Sequence, residues 1–87
     1  MYFVYILYSA YLKKYYIGYS ENVEARIEFH NDSSRNNIWT KRGIPWELKM
    51  KIKFDNKKEA LKAERFIKNQ KSQIFIERII SNGWKSI

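Results

Sequence analysis

The 87-residue sequence contains no cysteine, one proline, three glycines and one histidine. Without cysteine, neither a disulfide scaffold nor a thiolate metal site can form. A single histidine also excludes a zinc site built on a histidine cluster. No apolar run approaches the roughly 18 residues of a membrane span, and the N-terminal segment MYFVYILYSA lacks the basic region of a signal peptide. We therefore expect a cytoplasmic protein without a membrane partner.

Positive charge and aromatic side chains are what the sequence has in excess. Lysine and arginine number 17 against nine acidic residues, which gives a formal net charge of +8, and 17% of the residues are aromatic. A basic surface of this kind indicates a polyanionic partner, and nucleic acid is the one it favours. The length predicts a single domain spanning residues 1–87.

The hydrophobic pattern predicts three strands and three helices. The strands are expected at residues 2–9, 15–20 and 46–54, and the helices at 23–31, 57–69 and 72–81. The first strand is almost entirely apolar and should be central, whereas the third alternates apolar residues with lysines and should be an edge strand with one buried face. Segment 31–43 is polar and basic, and we expect a loop there. The order β-β-α-β-α-α predicts an α+β fold, with a small three-stranded, mainly antiparallel sheet flanked by helices.

Two tyrosines in the predicted hairpin are candidates for chemistry. Tyr5 and Tyr16 are either core rings or phenols of a functional site, and the pattern alone leaves both open. A phenol has a pKa near 10 and acts as a base only where a cation stabilises the phenolate. Gly18 follows closely and interrupts the second strand, which predicts a bulge or a close approach by a partner.

Three further candidates lie on predicted helices. Arg26 and His30 are four residues apart and share one stripe, which is either a solvated face or a phosphate-binding and proton-carrying pair. Glu64 lies beside the apolar stripe of helix 57–69. It is either a border glutamate that pairs with Arg65 or a nearby lysine, or an oxygen ligand for Mg²⁺.

Five basic residues lie in predicted connections, where they could contact a ligand. They are Lys13, Lys14, Arg35, Lys41 and Arg42. Contacts of lysine and arginine with backbone phosphates provide affinity and salt dependence but no choice of base sequence.

As a set, these residues resemble the GIY-YIG nuclease family over nearly the whole chain. The first motif reads Phe3-Val4-Tyr5 and the second Tyr16-Ile17-Gly18, with eleven positions from tyrosine to tyrosine. The helical arginine and histidine of the family match Arg26 and His30, and its metal-binding glutamate matches Glu64 within KKEALKAERFIK. The segment TKRGIPWELKMKIKF resembles the compact, single-domain bacterial branch of UPF0213 type, which is related to the N-terminal domain of the excision-repair subunit UvrC.

The resemblance implies a metal-dependent endonuclease with low sequence specificity that acts on nucleic acid, DNA in preference to RNA, in repair or processing. Glu64 would hold one Mg²⁺ or Mn²⁺, Arg26 would bind the phosphate, and Tyr5 or Tyr16 would activate water with His30 as proton carrier. Three positions depart from the family pattern: Phe3 replaces a glycine, Tyr19 a lysine, and Ile76 an asparagine. The alternatives are a catalytically weak nucleic-acid-binding module and a protein-interaction subunit on the same fold.

Overall fold

The computed structural model describes residues 1–84, which form three strands and four helices. In chain order they are β1 (Tyr2–Ser9), β2 (Lys14–Ser20), α1 (Val23–His30), α2 (Ile38–Arg42), β3 (Trp46–Phe54), α3 (Lys57–Gln70) and α4 (Gln73–Asn82). The strands form one sheet in the order β2-β1-β3, and both pairings are antiparallel. The predicted α+β fold, with a three-stranded antiparallel sheet flanked by helices, is confirmed. That residues 1–87 form one domain stays a prediction, since residues 85–87 lie outside the described part.

Side chains of the central strand β1 alternate between two cores, one on each face of the sheet. The core under α3 contains Val4, Ile6, Ile17, Ile52, Ala60, Ala63, Ile67 and Ile79. The core under α1 contains Tyr5, Leu7, Val23 and Trp46. We call these sides the α3 face and the α1 face. Because β1 has a hydrophobic core on each face, most of its side chains are buried, and this explains its nearly continuous apolar sequence.

The edge position predicted for β3 is confirmed, but the single buried face is wrong. The pairing of β3 with β1 shifts by one residue between Leu48 and Met50, so that Lys49 is an extra residue in β3. Such a bulge moves the side chains beyond it to the opposite face of the sheet. Trp46 therefore packs in the core under α1, whereas Ile52 packs in the core under α3. The alternating pattern of β3 could not reveal where this shift occurs.

Segment 31–43 is not entirely the predicted loop, because it contains the five-residue helix α2. Asn37 caps this helix, and its side-chain oxygen accepts a hydrogen bond of 2.9 Å from the backbone N–H of Thr40. The indole N–H of the buried Trp46 donates to the carbonyl of Thr40 at 2.8 Å, which ties α2 to the sheet. Lys41 and Arg42 are thus helical residues rather than loop residues.

Helices α3 and α4 begin and end within two residues of the predicted positions. Asn56 and Ser72 cap their N-termini by accepting backbone hydrogen bonds. Trp84 lies beyond α4 and folds back onto the core, where it packs against Phe54 and Phe66 with ring centroids 6.4 and 6.3 Å away. Among residues 1–84, no helix combines the length and the apolar sequence that crossing a bilayer requires.

Candidate active site

A glycine in the edge strand makes room for a tyrosine from its neighbour. Tyr5 on the α1 face lies directly opposite Gly18. A Cβ atom at Gly18 would stand 2.6 Å from Cζ of the Tyr5 ring, far inside van der Waals contact. The phenol of Tyr5 therefore extends across the backbone of β2, which only glycine permits. The close approach predicted at Gly18 is confirmed, with Tyr5 as the approaching group, and the β1–β2 register contains no bulge there.

Three rings meet on the α1 face. The hydroxyl of Tyr5 lies 3.2 Å from Nε2 of His30. The ring centroid of Tyr16 is 4.5 Å from that of His30 and 6.5 Å from that of Tyr5. His30 occupies the last turn of α1, a helix capped by Asn22, and is only 3% exposed. A solvated position is therefore excluded for His30, and the two candidate tyrosines share its surroundings.

Burial sets the protonation states of this group. It lowers the pKa of His30 to about 4, with help from the positive charge of Arg26. Burial also raises the pKa of Tyr5, and the charge of Arg26 only partly offsets this effect. Near neutral pH, Tyr5 is therefore a protonated phenol and His30 a neutral imidazole. When Nε2 is the unprotonated nitrogen of His30, the Tyr5 hydroxyl donates its hydrogen bond to it.

Arg26 lies one helical turn before His30 and is partly buried. Its guanidinium carbon is 4.7 Å from the ring centroid of Phe29, so the ring supports the cation by a cation–π contact. The charge of Arg26 lowers the pKa values of both Tyr5 and His30. Because Arg26 and His30 are one turn apart on α1, the guanidinium lies on the same side of that helix as the imidazole.

Glu64 comes to the site from the other face of the sheet. It lies on α3 and is 9% exposed, and its carboxylate is 3.7 Å from Nζ of Lys68 one turn later. Of the two pairings considered from the sequence, a nearby lysine is therefore correct and the exposed Arg65 is not. The negative charge of Glu64 adds to the raised pKa of Tyr5, although burial is the larger cause. Lys68, the partner of Glu64, lines the same groove as Tyr16, and this connects Glu64 to the candidate tyrosines.

A single carboxylate limits the kind of metal that this site could hold. Residues 1–84 contain no group of three or more histidine, cysteine, aspartate or glutamate side chains suited to a metal ion. Mg²⁺ commonly binds through one or two carboxylates and completes its shell with water and substrate phosphate oxygens. Glu64 fits a cation of that type, one that arrives with its substrate, and does not fit a tightly held resident metal.

Beside Glu64, a basic groove of about 350 Å³ runs between β2 and the connection from α3 to α4. Its lining includes Lys14, which was predicted from the sequence to contact nucleic acid. It also includes Lys68 and Lys71, for which no such contact was predicted. The i, i+4 spacing of Glu64 and Lys68 is the signal that could have identified this second lysine. We call this feature the lysine groove.

The other predicted nucleic-acid contacts are placed less uniformly. Lys13 forms the turn before β2, and its carbonyl accepts a hydrogen bond of 2.9 Å from Gln73. Arg35 forms an ion pair of 2.9 Å with Asp32. Lys41 and Arg42 lie together at the end of α2. The selected basic residues thus fall in two groups, one near the lysine groove and one around α2.

The three departures from the family pattern occupy different surroundings. Tyr19 lies opposite Val4 and packs on the α3 face, away from Tyr5 and Tyr16. Phe3 packs in the core under α1. Ile76 lines the lysine groove and packs against the core under α3. None of the three changes a side chain that takes part in the contacts among Tyr5, Tyr16 and His30.

His30 should make the stability of the protein depend on pH. The folded state holds this imidazole neutral down to about pH 4, whereas the unfolded chain binds a proton near pH 6.5. Between those values the unfolded state binds more protons, so stability falls as pH falls. We expect the free energy of unfolding to drop by about 2 kcal/mol between pH 7 and pH 5. Urea unfolding at the two pH values measures this difference.

The matched control is His30→Gln, which keeps a polar side chain but does not titrate. Because His30 is the only histidine, this variant should lose most of the pH dependence between pH 5 and 7. An equally steep dependence in His30→Gln would show that other groups cause it and that His30 is not held neutral.

Comparison with known proteins agrees with this geometry. The family model of the GIY-YIG catalytic domain matches residues 1–77. The chain is also 36% identical over 69 residues to the UPF0213 protein YsiG of Lactococcus lactis subsp. lactis (strain IL1403), a match that covers 79% of this chain and 64% of that relative's length. No solved structure matches the chain. The GIY-YIG family is one of nucleases, which act on nucleic acid. With two tyrosines and a histidine in contact beside the glycine of its second motif, and with a family match over residues 1–77, this chain belongs to the GIY-YIG family.

Proposed function

We propose that this protein is a metal-dependent endonuclease that hydrolyses phosphodiester bonds in DNA with low sequence specificity. The observation that carries the proposal is the contact among Tyr5, Tyr16 and His30 on the α1 face at the edge of β2, with Arg26 one helical turn from His30 and the largely buried Glu64 on α3. All of them lie on strands and helices, which can hold catalytic groups to the tolerance that chemistry needs.

Glu64 is the residue that would hold Mg²⁺ or Mn²⁺. Such a cation, when bound, stabilises negative charge on the scissile phosphate and on the leaving oxygen. Lys68 neutralises the Glu64 carboxylate in the structure, and it is half exposed, so it can swing aside at little cost.

Arg26 binds a non-bridging oxygen of the scissile phosphate and counters the charge that develops there. Tyr16 is partly exposed, whereas Tyr5 is 1% exposed and bonded to His30. Tyr16 is therefore the phenol that orients the attacking water, and the Tyr5–His30 pair carries its proton away. The water oxygen bonds to phosphorus, the bond to the 3′ oxygen breaks, and that oxygen takes up a proton. The products are a 5′-phosphate and a 3′-hydroxyl.

The net charge of +8 and the two groups of basic residues support binding to the phosphate backbone. Lysine and arginine contacts of this type do not read bases, which accounts for the low sequence specificity in the proposal. A cytoplasmic location and a role in DNA repair or processing belong to the same proposal.

Chelation of divalent cations should abolish cleavage. We expect the purified protein to nick supercoiled plasmid and cut labelled oligonucleotides in Mg²⁺ or Mn²⁺, and to leave both intact in EDTA, because without the cation the charge that develops on the leaving oxygen is not stabilised. The ends of the product should be ligatable without kinase treatment, because they carry 5′-phosphates. Gel electrophoresis and end-group analysis provide both measurements.

Cleavage that persists in EDTA would contradict the proposal. Binding with a steep salt dependence but no cleavage in either metal would favour the nucleic-acid-binding module instead. Absence of both binding and cleavage at low salt would favour the protein-interaction subunit.

A further inference from the structure

Trp39 presents an exposed indole within the basic surroundings of α2. Trp39 is 46% exposed, although tryptophan is highly buried on average. Lys41 and Arg42 follow it in the same short helix, and neither forms a salt bridge with a carboxylate of residues 1–84. An apolar ring flanked by unpaired cations suits a ligand with a flat apolar face and a negatively charged backbone.

The indole of Trp39 is held from behind. Its ring centroid is 5.6 Å from that of Trp46, and the two planes are inclined by 37°. Trp46 is 2% exposed, donates its indole N–H to the Thr40 carbonyl and packs so closely on Gly43 that a Cβ there would stand 2.6 Å from Trp46 Cε2. The buried indole is therefore fixed, and Trp39 rests on it. A fixed platform loses little side-chain entropy when a ligand covers it.

This platform is also connected to the candidate active site. The ring centroid of Trp46 lies 6.1 Å from that of Tyr16, which in turn contacts His30. From Trp39 to Tyr16 there are thus only two ring-to-ring steps, of 5.6 and 6.1 Å. A strand whose phosphate lay at Tyr16 could place a neighbouring nucleotide at Trp39.

We propose that Trp39 stacks on an unpaired base and that the protein consequently prefers single-stranded DNA, or DNA with an unpaired segment, over perfect duplex. This inference rests on the proposed function, because it requires DNA in the active site. Bases within a duplex are covered by their neighbours, whereas an unpaired base offers a free face. Stacking of a base on an aromatic side chain is independent of base identity, in keeping with low sequence specificity.

Charge favours a polyanion over a protein as the occupant. Ile38 is 70% exposed beside Trp39, and the two form only a small apolar area, whereas protein interfaces need far more. The two cations that follow Trp39 in α2, Lys41 and Arg42, complement a phosphate backbone. Tryptophan with adjacent basic residues is the combination that binds single strands in general.

Binding in EDTA tests the inference without requiring cleavage. Fluorescence anisotropy compares an oligothymidine of about eight nucleotides, a length typical of single-strand sites, with a blunt duplex of equal length. We expect Trp39→Ala to weaken binding of the single strand about tenfold or more and binding of the duplex less than about twofold. Trp39→Phe should retain most of the affinity, because phenylalanine still stacks. Ile38→Ala, which removes the neighbouring and even more exposed apolar side chain, should bind like the wild type.

Each other outcome overturns the inference. Equal losses for single strand and duplex in Trp39→Ala, no loss for either, or a matching loss in Ile38→Ala would each show that Trp39 is not a stacking platform. If the wild type binds single strand and duplex, and Trp39→Ala binds both with unchanged affinity, the inference alone fails. If the wild type binds no DNA at low salt, the proposed function fails with it.

Discussion

Replacing Glu64 with glutamine is expected to lower the rate of DNA cleavage about 1,000-fold. The amide has nearly the same size as the carboxylate but carries no charge, so the site loses its proposed ligand for the cation. Residues 1–84 contain no group of three or more acidic, histidine or cysteine side chains that could hold the cation instead. Initial cleavage rates in Mg²⁺ and Mn²⁺ measure the effect.

Glu59→Gln is the matched control for this substitution. Glu59 lies on the same helix α3 but in its exposed first turn, so it should retain cleavage within about twofold of the wild type. Because the Lys68 partner of Glu64 is half exposed, Glu64→Gln should also remain folded, with an unchanged circular dichroism spectrum. Full activity in Glu64→Gln would remove the carboxylate from the mechanism and would point to a contaminating nuclease.

Replacing Arg26 with alanine should lower cleavage about 100-fold, because the charge that develops on the phosphate loses its counter-charge. The same substitution should change a property of the free protein. Arg26 helps to depress the pKa of His30, so in Arg26→Ala the pKa of His30 should rise above about 4 toward its ordinary value. Burial still lowers it, and the rise should therefore be incomplete. NMR titration of the imidazole ring follows this shift in the absence of DNA and metal.

Two further variants separate charge from geometry at this position. Arg26→Lys keeps the positive charge and should leave the pKa of His30 low, but it loses the planar fork that binds two phosphate oxygens and should still cleave poorly. Arg78→Ala removes an exposed arginine from α4 and should leave both cleavage and His30 titration unchanged. An unaltered His30 titration in Arg26→Ala would show that the guanidinium does not lie beside the imidazole.

These predictions share one physical feature, which is that the site places polar groups where burial is costly. His30 is 3% exposed and its Nδ1 has no hydrogen-bond partner among residues 1–84, an arrangement that weakens the fold. The hydroxyl of Tyr5 is also buried, and its hydrogen-bond partner is Nε2 of His30. Substitutions that make this region more apolar should therefore stabilise the protein while they reduce cleavage, the usual conflict between stability and activity.

Most secondary structure was predictable because its signals are local. The apolar run of β1 and the helix caps near Asn22, Asn56 and Ser72 lie within a few residues of the elements that they define. Helix α2 escaped prediction because it is only five residues long, and its fixed position depends on the hydrogen bond from Trp46 to Thr40. Without that tertiary contact, its polar and basic sequence is typical of a loop.

The candidate site could be predicted only in part. Motif spacing selected Tyr5, Tyr16, Arg26, His30 and Glu64, and in the structure both tyrosines contact His30, with Arg26 one helical turn before it. The motif spacing did not reveal Lys68, Lys71 or Trp39, which lie outside the motifs. Nor did the spacing show that burial would hold Tyr5 protonated and His30 neutral.

The sequence by itself therefore determined the order of the strands and the longer helices, the candidate site residues and the excess of positive charge, because these depend on residue type and spacing along the chain. Tertiary structure alone decided which face of the sheet each residue occupies and how far its side chain is exposed to solvent. One extra residue at Lys49 sends Trp46 to the α1 face, and one absent side chain at Gly18 lets Tyr5 cross the edge strand. Both effects arise from pairing and packing between distant segments, which no local pattern records.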